Sequence, residues 1–128
     1  MSLKKVILTE HFKDDIKFYV RKKKYTKIES DIATVTDELK EGNLVGDRLE
    51  NLDIPEGTAV YKVCVANSSA NVGNSNGFRL LYYVVISDTI YLVTIYSKKD
   101  DVRVISDEQI ELLIINIPIE ENSSDNSN

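Results

Sequence analysis

Arg79 stands inside the apolar run FRLLYYVVI (residues 78–86), and a guanidinium in such a strand must meet solvent, a carboxylate or an incoming phosphate. Lys62 raises the same question within VYKVCVA (residues 60–66), and Lys98 and Lys99 close the run TIYLVTIY (residues 89–96). Strand alternation puts Phe78, Leu80, Tyr82 and Val84 on one face, and Arg79, Leu81, Tyr83 and Val85 on the other. Each cation also has a purely structural account. Arg79 could pair with a neighbouring carboxylate, Lys62 could be a solvated edge position, and Lys98 and Lys99 could mark a strand exit. His11, at the start of the first helix, is expected at the surface rather than as a general base. One Cys and one His do not make a standard zinc site, and no Walker A loop, GxGxxG turn or serine-hydrolase elbow is present. No metal and no cofactor is therefore expected.

The elements that must position these cations follow from periodicity. Lys4–Leu8 reads as a short strand, with Thr9 as the cap of a helix whose apolar residues Phe12, Ile16, Tyr19 and Val20 fall on one stripe. That helix ends in Arg21-Lys22-Lys23-Lys24, where cations suit the negative end of the helix dipole. A second helix is expected from about Lys27 to Lys40, carrying Ile28, Ile32, Val35 and Leu39, with Gly42 as its stop. Strands over residues 60–66, 78–86 and 89–96 follow, the last two forming a hairpin about Ser87-Asp88. A polar loop, Asn67 to Gly77, separates the first of these from the hairpin. Ser106, Asp107 and Glu108 open a final helix running to about Ile115. The order β-α-α-β-β-β-α makes an α+β fold: an N-terminal strand and helical hairpin, then a mainly antiparallel sheet with helices on one face and a short C-terminal helix. The other face is expected to be free for a ligand. Residues 1–117 form one domain in this reading, and 118–128 form a disordered acidic tail.

The 128 residues suit one domain, and an apolar fraction of 42% suffices for one core. A single cysteine excludes an internal disulfide framework, and no apolar run of about 18 residues or charged leader is seen, so a soluble, cytoplasmic chain without a membrane partner is expected. The net charge of −5 is unevenly spread. All 16 Lys and Arg lie at or before Arg103, whereas six of the 21 acids follow it, which leaves residues 1–105 at a net charge of +1.

Taken together, these features resemble the RelE/ParE toxin superfamily, most closely its RelE- and HigB-like branch. The stretch that carries the resemblance is Gly77 to Asp107: Gly-aromatic-Arg opening a strand, an apolar hairpin, Tyr-x-Lys closing the next strand, and a short final helix. Gly46-Asp47-Arg48-Leu49 and Tyr61-Lys62-Val63 sit where the family has its pre-sheet loop and first basic strand. The resemblance implies the toxin of a type II toxin–antitoxin pair, a ribosome-dependent, metal-independent mRNA endoribonuclease. It implies a cognate antitoxin, such as a helix-turn-helix protein, as well as the ribosome and mRNA as partners. By the same resemblance Arg79 is a phosphate clamp, Lys62, Lys98 and Lys99 are further catalytic cations, and Arg48, Tyr83 and Tyr96 contact RNA, the tyrosines by stacking. Tyr61, Cys64 and Asn74 stand where HigB-like relatives often carry additional cations. That departure leaves open a non-enzymatic binder on the same fold: a ParE-like topoisomerase inhibitor or a degenerate toxin.

Overall fold

The computed structural model describes residues 4–85, 88–99 and 102–118. Its elements are β1 (Lys5–Leu8), α1 (Glu10–Arg21), α2 (Ile28–Lys40), β2 (Asp47–Arg48), β3 (Ala59–Val65), β4 (Phe78–Val84), β5 (Thr89–Ser97) and α3 (Asp107–Ile115). The strands form one five-stranded sheet in the order β1-β5-β4-β3-β2. β1 runs parallel to β5 and the other neighbours are antiparallel, so the sheet is mixed. The short β2 is absent from the sequence reading because two residues show no period. Among the described residues no helix is long and apolar enough to cross a membrane. Ser87, part of the expected turn, and residues 119–128 of the expected tail lie outside the described residues.

α1 and α2 pack on one face of the sheet. Phe12 and Tyr19 of α1 and Ile28, Ile32, Val35 and Leu39 of α2 meet Phe78, Leu80, Tyr82, Ile90, Leu92 and Ile95 in one buried cluster. The Thr9 hydroxyl caps α1 by accepting from the Phe12 amide at 3.2 Å, and donates to the Leu92 carbonyl at 2.8 Å. The turn into α1 is thereby pinned to β5.

The expectation that all helices share one face is wrong. α3 lies on the opposite face, where Ile110, Ile114 and Ile117 bury Val60, Leu81, Tyr83, Val85, Tyr91 and Val93. The physical reason is visible in the strands: β4 and β5 read as nearly continuous apolar runs, and such runs need cover on both faces. A capping box starts α3, with the Ser106 hydroxyl accepting from the Gln109 amide at 3.2 Å and the Gln109 carboxamide oxygen accepting from the Ser106 amide at 2.8 Å.

One buried carboxylate joins these layers. Asp15 is fully buried on the apolar stripe of α1. Its Oδ2 accepts from the Thr94 hydroxyl at 2.6 Å and the Ile95 amide at 2.9 Å. Its Oδ1 accepts from Arg103 Nε and Nη2, both at 2.8 Å. The strand partners explain the access: Leu81 pairs with Thr94 and Tyr82 with Leu92, so Val93 is an extra residue and β5 bulges there. The Arg103 guanidinium also lies 5.5 Å from the centre of the Phe18 ring. His11, one helical turn before Asp15, is not the freely exposed residue expected. Its Nε2 is buried 3.5 Å from Asp15 Oδ2, with no hydrogen bond among the described residues.

Removing one partner of a buried, hydrogen-bonded ion pair leaves the other charge stranded, at a cost of about 3–5 kcal/mol. Asp15→Ala is predicted to lower the unfolding free energy by about that amount in urea titrations. Arg103→Ala should add little once Asp15 is gone, because both substitutions break the same pair.

Candidate functional site

α3 covers only part of its face of the sheet. It lies over the Val60, Tyr83, Tyr91 and Val93 end and leaves the other end open. There the cross-strand register aligns Cys64 of β3, Arg79 of β4 and Tyr96 of β5 in one row. Lys62 precedes Cys64 by two residues and so shares its face. Cys64 is exposed, and Lys62, Arg79 and Tyr96 are each half-buried. This open, polar quarter of an otherwise covered sheet is the candidate site.

The loop from Asn67 to Gly77 forms its wall. The loop turns twice through short 3-10 segments, Ser68–Ala70 and Asn74–Asn76. Gly77 is required where the loop re-enters the sheet, since a Cβ there would collide with the Val65 carbonyl oxygen. Arg79 holds the loop in place. Its Nη1 donates to the carbonyls of Asn74 and Phe78, both at 3.2 Å, and its Nη2 to the Ser75 carbonyl at 3.1 Å. Lys98 Nζ reaches the same Ser75 carbonyl at 3.1 Å, and the Lys98 amide donates to Gly77 at 2.8 Å. Two cations from neighbouring strands thus converge on one oxygen. Among the described residues no carboxylate pairs with Arg79, which is half-buried. It grips carbonyl oxygens, which have the same acceptor chemistry as a phosphate.

Lys62, Arg79, Tyr96 and Lys98 are therefore brought together, and Lys99, exposed, follows Lys98. Two expected RNA contacts are not. Tyr83 lies under α3 at 3% exposure, so no base can stack on it while α3 is docked. Arg48 pairs with Tyr61, whose ring stacks on Tyr82 in the cluster beneath α1 and α2, so Arg48 belongs to the opposite face. The alternation of β4 correctly assigns Tyr83 to the face of Arg79, but not the depth at which α3 buries it.

Three features of the surroundings escape sequence reasoning. Asp47 is the register partner of Lys62 and lies at the margin of the site, bringing a negative charge beside the lysine. Cys64, read from the sequence as a lone thiol and as a position lacking a cation, lies at the β3 end of the row. Asp15 went unremarked, although a carboxylate between Phe12, Ile16 and Tyr19 on an apolar stripe signals a buried ionic contact. Among the described residues no group of His, Cys, Asp and Glu is placed to hold a metal ion.

The Tyr96 phenol is shifted above the ordinary tyrosine range. Burial raises it most, the Arg79 charge lowers it, and the Cys64 side chain raises it. Tyr96 consequently stays protonated at neutral pH as a hydrogen-bond donor. Replacing Arg79 with Met should raise the Tyr96 titration further, read as the tyrosinate absorbance change lost in Tyr96→Phe.

Burial also raises the phenol of Tyr82, whose hydroxyl donates to the Val45 carbonyl. A group whose pKa is raised by folding stabilises the fold below its unfolded pKa and loses that contribution as pH climbs toward the folded value. Stability is thus expected to fall above a pH of about 10, the unfolded tyrosine value, and to fall less in Tyr82→Phe. Denaturant melts across alkaline pH provide the check.

A scan against protein-family models finds no match for this chain, and searches of curated proteins and of solved structures find none either.

Proposed function

We propose that this protein is a toxin of the RelE/ParE kind that binds mRNA on the ribosome at the open quarter of its sheet and cuts it without a metal. The observation that carries this reading is the convergence of Arg79 and Lys98 on the Ser75 carbonyl, beside Tyr96 and Lys62 on an uncovered sheet face. A phosphate placed there exchanges its oxygens for the carbonyl oxygens that the two cations now hold. The sequence pattern supports it as well: Gly77-Phe78-Arg79 opens β4, Tyr96-Ser97-Lys98 closes β5, and a short helix follows.

The chemistry follows from the groups at hand. The ribose 2′-oxygen attacks the adjacent phosphorus, a 2′,3′-cyclic phosphate forms, and the bond to the 5′-oxygen breaks. Arg79 and Lys98 offset the charge that accumulates on the pentavalent phosphorane. Tyr96, held protonated, donates to the departing 5′-oxygen, the 2′-hydroxyl proton passes to solvent water, and the Lys62 ammonium adds positive charge beside the reacting phosphate. The ribosome fixes the substrate in line. An antitoxin silences the site by laying acidic residues against Arg79 in competition with phosphate.

A second reading, a non-enzymatic binder on the same fold, is favoured by one observation. Among the described residues the Arg79 side chain donates three hydrogen bonds, to carbonyls of its own strand and loop, so its role is also architectural. Inducible expression followed by mapping of mRNA 5′ ends separates the two. The nuclease reading predicts growth arrest with new cuts inside translated frames, and at least about a tenfold loss of cutting in Tyr96→Phe, on the scale of one acid catalyst. Arrest without cuts would establish the binder, and no arrest with folded protein would remove the toxin reading altogether.

A further inference from the structure

Positive charge is concentrated around the turn from α1 to α2 beyond what the helices need. Residues 16–28 hold six of the 16 Lys and Arg and none of the 21 acids. The dipole of α1 accounts for a cation in its last turn, which is Arg21. Lys22 caps the helix, Lys23, Lys24 and Lys27 lie beyond it, and all four are exposed. Among the described residues no carboxylate pairs with Arg21, Lys22, Lys24 or Lys27. The carboxylate of Asp31, in the first turn of α2, is buried and accepts from the Ser68 amide and hydroxyl instead, at 2.9 and 2.5 Å.

The core fixes the turn that carries these cations. Lys24 takes the left-handed conformation at φ 62°, which a lysine keeps only where its surroundings dictate it. Tyr25 does so: its amide donates to the Tyr19 carbonyl at 3.0 Å, and its ring stacks on Tyr19 and meets Phe78 edge-on, each at 5.9 Å. Phe78 directly precedes Arg79. The Lys27 amide donates to the Ser69 hydroxyl at 2.9 Å, in the loop that walls the candidate site. The Tyr19 hydroxyl accepts from the Ser97 amide at 2.8 Å, next to Lys98. These contacts seat the basic turn at the end of the sheet where Arg79, Lys98 and Lys99 stand, on the helical side of the 67–77 loop.

We infer that this turn is a second phosphate-binding site which, resting on the reading of the open quarter as an RNA site, holds the backbone of the same strand where it rounds the 67–77 loop. RNA suits it better than other polyanions. A protein interface is poor in lysine at its centre and built on aromatic or aliphatic anchors, whereas the one aromatic ring of this turn, Tyr25, packs into the core. A segment lying on a bilayer couples its cations to apolar residues that insert. The large exposed apolar side chains among the described residues, Leu44, Val102, Val104, Leu112 and Ile115, all belong to other segments. Phosphates repeated along a strand require only cations on a fixed frame. The outer surfaces of α1 and α2 stay clear of this path.

Fluorescence anisotropy of the full chain with a labelled single-stranded 2′-O-methyl RNA, titrated with salt, is the test. Such a strand has no free 2′-hydroxyl and cannot be cut, so the readout is independent of the nuclease reading. Lys22→Gln/Lys24→Asn removes two exposed cations and places at 24 a residue suited to the left-handed conformation. It should weaken binding at least about tenfold at roughly 0.1 M salt and lower the slope of log K against log salt by about 1.4, with unchanged circular dichroism. Lys4→Gln/Lys40→Gln, an equal loss of charge where the end of α2 meets the start of β1, should change neither. Unchanged binding in the turn variant overturns the inference even if the protein cuts mRNA. An equal loss in the control variant, or no binding by the wild-type chain, overturns it as well, and so does turn-dependent binding of phosphatidylserine vesicles in place of RNA. Turn-dependent RNA binding by a protein that makes no cuts upholds the second site and counts against the nuclease reading alone.

Discussion

The fold depends on the buried carboxylate of Asp15. Taking a carboxylate out of water costs several kcal/mol, and here the cost is offset by a hydroxyl, an amide and a two-pronged guanidinium, all within 2.9 Å. Its ligands come from segments about 80 residues away in sequence, so the contact forms only when α1, the β5 bulge and the chain after β5 are assembled together. Arg103 is thereby held against α1 on one side of the sheet. Three residues later Ser106 caps α3 on the other side. That anchor sets where α3 begins, and hence which part of the second face it covers.

The candidate site is what α3 leaves uncovered. Its residues depend on a second local constraint, the close approach of Gly77 to Val65, which brings the 67–77 loop down beside β4 and aims its carbonyls at Arg79 and Lys98. The same guanidinium therefore builds the loop and presents positive charge at its rim. Such a double role explains how a cation persists in an apolar strand: the carbonyls satisfy it, and in the proposed function a phosphate takes their place.

Much of this architecture is legible in the sequence. The stripe of Phe12, Ile16 and Tyr19, the Thr9 and Ser106 caps, and the alternation of β4 all register as local periodicities. What was missed depends on contacts between distant segments. α3 could be read as a helix and the unbroken apolar runs of β4 and β5 called for cover on both faces, yet how far α3 reaches over the second face depends on contacts that no spacing reveals. The burial of Tyr83 follows from that placement, and the separation of Arg48 from the other cations follows from the two-residue β2 pairing with Lys62 and Tyr61. The convergence of Arg79 and Lys98 was half legible: the residue types were evident, but their meeting at Ser75 rests on loop geometry.

The most direct test of the account is photo-cross-linking of a thiouridine-substituted RNA to the protein bound on the ribosome, with adducts mapped by mass spectrometry. The account predicts adducts at Tyr96 and in the Asn74–Lys98 neighbourhood, and none on the outer surface of α1 and α2. Adducts confined to that helical surface, or none at the open quarter of the sheet, would contradict it.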